Sequence, residues 1–128
     1  MGSGTFQNGL LALEAEQDLS NSQYRFVELN TTTGQVDLTD AVGEYAIGVL
    51  QNDPSSGFPA KIMKDGITKI YADGTITRGI YITPSATGGG ISGNASGAIV
   101  VRGLSMTAAN SGEIFDMLLI ELHVSSAF

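Results

Sequence analysis

Residues 46–72 read Ala-Ile-Gly-Val-Leu-Gln-Asn-Asp-Pro-Ser-Ser-Gly-Phe-Pro-Ala-Lys-Ile-Met-Lys-Asp-Gly-Ile-Thr-Lys-Ile-Tyr-Ala. A short apolar run, residues 47–50, is broken only by Gly48. A polar connection containing Pro54 follows, and then two β-prone runs, 60–64 and 67–72, on either side of Asp65-Gly66. Asp-Gly between two such runs predicts a hairpin, because a type I′ turn needs positive φ at both central residues and this pair tolerates it. The rest of the chain is expected to supply strands that pack around this hairpin.

Upstream, residues 24–29 alternate, with Tyr24, Phe26 and Glu28 on one side and Arg25, Val27 and Leu29 on the other. A turn at 30–34 leads to a short strand at 35–38, and Thr39 is placed to cap one helical turn over 39–43. Downstream come two extended pieces, 75–77 and 79–83, stopped by Pro84. Residues 85–97 are almost all Gly, Ser, Ala, Thr and Asn, and read as a flexible surface loop or one ordered by a neighbour. Residues 98–104 are β-branched and apolar, and 114–124 form the longest apolar run.

In that last run Ile114, Asp116, Leu118, Ile120 and Leu122 fall on one face, and Phe115, Met117, Leu119 and Glu121 on the other. Both faces are mainly apolar, so the strand, expected over 114–122, should be covered on both sides. Phe115, Met117 and Leu119 are the expected subunit-interface residues. A helix is the competing reading; the Gly112 start and the β pattern around it favour strand. Eight or nine short strands at close intervals predict an all-β fold, a small antiparallel β-sandwich or barrel, with a long Gly/Ser-rich loop and an N-terminal arm.

The chain has 128 residues, which suits one domain. We divide it into an arm, 1–22, and a β-rich domain, 23–128. The arm opens Gly- and Ser-rich, carries the apolar patch Leu10, Leu11, Leu13, and ends polar. It is read either as a partner-ordered arm, with those three leucines as its anchors, or as a frayed terminus with one edge strand.

Chemistry is scarce. There is no cysteine, which removes disulfides, a thiol nucleophile and a Cys-ligated zinc. The Gly88-Gly89-Gly90-Ile91-Ser92-Gly93 stretch matches a dinucleotide fingerprint letter for letter, but no helix follows to meet a pyrophosphate. His123 is the only histidine, and no Gly-x-Ser-x-Gly accompanies it. Asp37, Asp40 and Glu44 lack the spacing of a calcium loop and read as a solvated acidic turn. The expectation is a protein without enzymatic activity, cofactor or metal.

The net charge is −7, all of it in residues 1–53, which hold eight acids against Arg25. Residues 54–128 balance at five and five. An acidic chain gains nothing from phosphate neutralisation, so neither nucleic acid nor an anionic membrane is expected as a partner. The first residues show no basic and apolar leader pattern, so a protein made and used, or assembled, in a cytoplasm is expected.

At Gly48-Val49-Leu50-Gln51-Asn52-Asp53-Pro54 the chain resembles the decoration, or capsid-cement, proteins of tailed bacteriophages. Gly66-Ile67-Thr68-Lys69-Ile70 and Gly74-Thr75-Ile76-Thr77-Arg78-Gly79 continue that pattern, followed by Val101-Arg102-Gly103-Leu104-Ser105, residues 108–113 and the last apolar run. The resemblance covers roughly residues 44–122 and consists of structural residues. It implies a homotrimer on the outside of an icosahedral head, clamping neighbouring major-capsid subunits against internal DNA pressure. The location implied is the virion surface, with assembly in the host cytoplasm. The alternative reading is a virion-surface adhesion or carbohydrate-binding module, which would ordinarily use exposed aromatics; this chain has nine aromatics and no Trp.

Overall fold

The computed structural model describes residues 5–7, 10–93 and 99–124, with the side chains of 5–7, 99 and 122–124 left out. Eleven strands follow in order: β1 (Thr5–Gln7), β2 (Leu10–Glu14), β3 (Phe26–Leu29), β4 (Val36–Leu38), β5 (Gly48–Leu50), β6 (Pro59–Met63), β7 (Ile67–Tyr71), β8 (Tyr81–Pro84), β9 (Gly90–Ser92), β10 (Ile99–Ser105) and β11 (Ile114–Val124). Among the described residues there is no helix. The strands form two antiparallel sheets, β1-β2-β6-β5-β3-β4 and β7-β11-β10-β8-β9, in a small all-β sandwich.

The first sheet holds residues of both cores. Phe26 and Val49 pack toward the second sheet with Ile70, Ile82, Phe115, Met117 and Leu119. On its other face Val27, Val36, Leu50, Ala60 and Ile62 gather around Ala15 and Leu19. The sheet curls around this second core until Ala15 bridges Val36, with the Glu16 N–H donating to the Val36 carbonyl at 2.8 Å. Ala15 and Leu19 are buried, and β2 pairs with β6 over its whole length. Of residues 1–22, expected as an arm, Leu10–Glu14 form a strand of the first sheet, and Ala15 and Leu19 after it close one core. Their short apolar set suffices because each inward residue meets another element: Leu11 stands opposite Ile62, and Leu13 opposite Ala60.

The hairpin expected at Asp65-Gly66 does not form. β6 pairs with β2 and β5 in the first sheet, while β7 pairs with β11 in the second. Gly66 has φ 90°, but Asp65 is not in the left-handed region, so the two-residue type I′ geometry is missing. The pair instead turns the corner between sheets, and the Gly66 carbonyl accepts from the Leu119 N–H at 2.8 Å. The physical reason is burial. Ala60 and Ile62 of β6 belong to one core and Ile70 of β7 to the other, which a single hairpin face would not serve.

Two smaller expectations also change. Tyr24 has φ 68°, so the strand expected from residue 24 starts at Phe26. Thr39 caps no helix: it is buried, and its hydroxyl donates to the Ser85 carbonyl at 3.1 Å.

β10 and β11 pair through a bulge, Val101 opposite Leu122 and Gly103 opposite Leu119. Such an irregularity bends and twists a strand pair. Arg102, buried beside it, donates from Nε to the Ala46 carbonyl (2.7 Å) and from Nη1 to the Ile120 carbonyl (2.8 Å), tying the bulge to the lead-in of β5.

Candidate functional site

β11 has two apolar faces, and the structure puts Phe115, Met117 and Leu119 on the inner one. All three are buried in the core between the sheets. These expected interface residues are thus consumed within the chain. Glycines make room for them: a Cβ at Gly90 would lie 3.3 Å from Phe115 Cζ, and one at Gly103 would collide with Met117.

The outer face carries a continuous row. Ile67 of β7 stands opposite Leu118 of β11, Leu118 opposite Leu104 of β10, and Leu104 opposite Tyr81 of β8. Paired residues of antiparallel strands share a face, so these four side chains form one stripe across four strands. Ile67 is 57% exposed and Tyr81 47%, while Leu104 and Leu118 are half-buried. Beside the row Lys69 and Asp116 pair at 3.6 Å, and beyond them Ile114 is exposed. Leu118 was legible as part of an apolar face. Ile67, Leu104 and Tyr81 were not singled out, although each sits in an alternating strand; only the register joins them.

Among Leu10, Leu11 and Leu13, the last two face the second core, where they pack on Ala60 and Ile62. Leu10 points the other way, opposite Met63, and is 37% exposed.

The acidic half maps onto the first sheet. Its densest point joins Glu28 of β3 with Asp40 and Glu44 from the turn after β4, with one oxygen of each within 4.8 Å of the others. Among the described residues this is the one grouping whose carboxylates could meet on a single cation. Asp37, read from the sequence as part of this cluster, lies opposite Glu28 in the β3–β4 ladder. Burial pushes the Glu28 carboxyl up to about 7, helped by hydrogen bonding to Glu44 and by the like charges of Glu44, Asp40 and Asp37. Asp40 is raised by its hydrogen bond to Glu44 and by the Glu44 charge. Burial pushes Glu44 upward, but N–H donors of Asp40 and Ala41 and the Glu28 and Asp40 carboxyls outweigh it and leave Glu44 below its ordinary value.

The glycine-rich stretch is built as structure over its described part. Asp73 Oδ2 accepts from Ser85 Oγ, from Thr87 Oγ1 (2.5 Å) and from the Gly89 N–H (3.1 Å). Arg25 donates to the Thr87 carbonyl at 2.7 Å and stacks 4.1 Å over the Tyr71 ring. Gly88, at φ 86°, fits between Leu38, Arg25 and the Phe26 carbonyl. Residues 85–93 are thus a pinned turn and a strand, where a surface loop was expected; 94–98 lie outside the described residues. Burial raises the Asp73 carboxyl, but the Ser85 and Thr87 hydrogen bonds, the Arg25 charge and the Gly89 N–H outweigh it and hold it low. The His123 side chain and Ser125–126 also lie outside the described residues.

A shallow groove of about 370 Å³ runs along Asn52, Pro54, Phe58, Pro59 and Lys61, with Phe58 62% exposed. Asn52 is already committed, its amide donating to the Pro59 carbonyl (3.1 Å) and its oxygen accepting from the Lys61 N–H (2.9 Å).

No protein-family model matches the chain, and no curated protein matches it. Among solved structures, it is similar to the N base of the head fiber gp8.5 of bacteriophage phi29. The TM-score is 0.64 at 14% identity, over 88% of this chain and 96% of that one. At that identity the likeness is one of fold: the chain shares the all-β architecture of the head-fiber base over nearly the whole length of both.

Proposed function

We propose that this chain is a structural protein of a tailed-phage virion, seated on the outside of the head, where it binds neighbouring major-capsid subunits and cements them against internal DNA pressure. The observation that carries this reading is the fold shared with a phage head-fiber base across 96% of that chain. The resemblance of residues 44–122 to decoration proteins points to the same class. In this reading the protein works as a homotrimer, assembles in the host cytoplasm and has no catalytic step. The acidic first sheet faces basic capsid surface, and Leu10, at its rim, is a contact residue.

The test is reconstitution. Heads lacking the native protein are incubated with the purified chain and sedimented, and their resistance to heat rupture is then measured. Saturable binding with a raised rupture temperature is expected. Absence of binding overturns the reading. Binding without any gain in rupture temperature leaves a head-bound protein and removes the cementing role.

One feature favours the second reading, a surface adhesion or carbohydrate-binding module: the exposed Phe58 ring over its groove. Glycan binding that is lost in Phe58→Ala supports that reading, and a silent glycan screen removes it.

A further inference from the structure

We infer that the outer face of the second sheet, along the row Ile67–Leu118–Leu104–Tyr81, is where one copy of this chain meets another. The number of copies rests on the homotrimer reading above; the face itself is argued from the chain's own residues.

Charge is distributed unequally between the two sheets. Residues 1–63, which build the first sheet, carry eight acids and two bases. Residues 64–128, which include the second, carry five acids and four bases. Two copies meeting through their first sheets would oppose about six net negative charges with six more. Like-charge juxtaposition of that kind suppresses association. On the outer face of the second sheet Lys69 and Asp116, opposite in sign, pair across a register position beside the row. The face is therefore apolar and close to neutral, so a like-charged copy is not repelled there. An apolar stripe on an otherwise strongly acidic molecule is the expected form of a contact between identical subunits.

The inner face cannot take this role, because Phe115, Met117 and Leu119 are already buried. The apolar content of both faces of β11 is thereby divided: one face for the chain's own core, the other for a neighbour. A basic partner, such as a capsid surface, would select the first sheet instead.

The experiment is light scattering of the full chain at micromolar concentration, with Ile67→Glu and Tyr81→Glu made separately. Both positions are exposed, so each variant should fold, which far-UV circular dichroism checks. The wild type is expected at a multiple of the 13.3 kDa chain mass. Each variant should dissociate, with the apparent association constant falling at least tenfold. Phe58→Glu, on the exposed groove formed by residues 52–61, should leave the mass unchanged. A monomeric wild type overturns the inference, as does an oligomer that survives both substitutions or is broken by Phe58→Glu. None of these readouts uses a capsid, so failure of head binding would overturn the function reading and leave this one standing.

Discussion

Met117 occupies the space that a side chain on Gly103 would need. The two residues lie on adjacent strands, β10 and β11, and a Cβ at Gly103 would collide with the Met117 sulfur and Cγ. Met117 is fully buried, so its thioether has little room to move aside. Gly103→Ala should therefore destabilise by about 1–3 kcal/mol. Met117→Ala alone should cost about 2–5 kcal/mol by leaving a cavity. The double variant should cost less than the sum, because the new methyl fills part of that cavity. Urea unfolding of the four proteins measures the cycle, and additive costs would contradict the packing described.

Gly48 is a sterner case. A Cβ there would meet the Met63 carbonyl oxygen and lie 2.6 Å from Ile62 Cγ2. A backbone carbonyl in a strand ladder has even less freedom to shift than a buried methionine side chain. Gly48→Ala should exceed Gly103→Ala in cost, going beyond about 3 kcal/mol. The order of the two melting temperatures decides it.

Deleting residues 1–20 should abolish folding, because it removes β2, Ala15 and Leu19 from the second core. Leu19→Ala, a gentler version, should cost about 2–5 kcal/mol. A folded, cooperatively melting deletion variant would restore these residues to a dispensable arm.

Stability should fall as pH rises from about 4.5 to about 7. Glu28 is raised from 4.5 to about 7 in the folded chain, so the folded state holds a proton that the unfolded state has released. The stabilisation is complete below 4.5 and lost as pH passes through about 7. Asp40, also raised, acts in the same direction. Glu28→Gln keeps a neutral group in place and should flatten most of this slope in urea titrations.

Asp73 should show the opposite sign. Its carboxyl is held below 3.8, so its contribution is present above that value and lost as pH falls through the folded value. Asp73→Ala leaves the donors at Ser85, Thr87 and Gly89 without their acceptor and should cost about 1–3 kcal/mol at neutral pH. It should also remove part of the acid sensitivity. An unchanged acid limb in this variant would show that Asp73 does not pin the turn.

Much of this was legible in the residues. Alternation in 60–64, 67–72 and 114–122 marks strands, because side chains of a strand point to opposite faces with a period of two. The lack of cysteine and the charge bias toward residues 1–53 are facts of the sequence, and the bias now marks one sheet. That both faces of the last strand are apolar was also legible in the residues; the structure covers the Phe115, Met117 and Leu119 face with the chain's own core and leaves Ile114 exposed on the other.

Tertiary structure decided which strands pair and which faces turn inward. Asp65-Gly66 has the composition of a hairpin, yet it joins two sheets, because local turn chemistry allows a reversal without choosing the partner across it. Ile114, Leu118 and Ile120 were as apolar as Phe115, Met117 and Leu119, and periodicity cannot rank two apolar faces. The choice was made by shape: Gly90 and Gly103, on strands β9 and β10, leave room on one side for Phe115 and Met117. The same is true of Leu11, Leu13 and Leu19, whose burial depends on strands brought beside them by the curl of the first sheet. Period and composition act within a few residues of chain; complementarity acts between segments that only the folded backbone brings together.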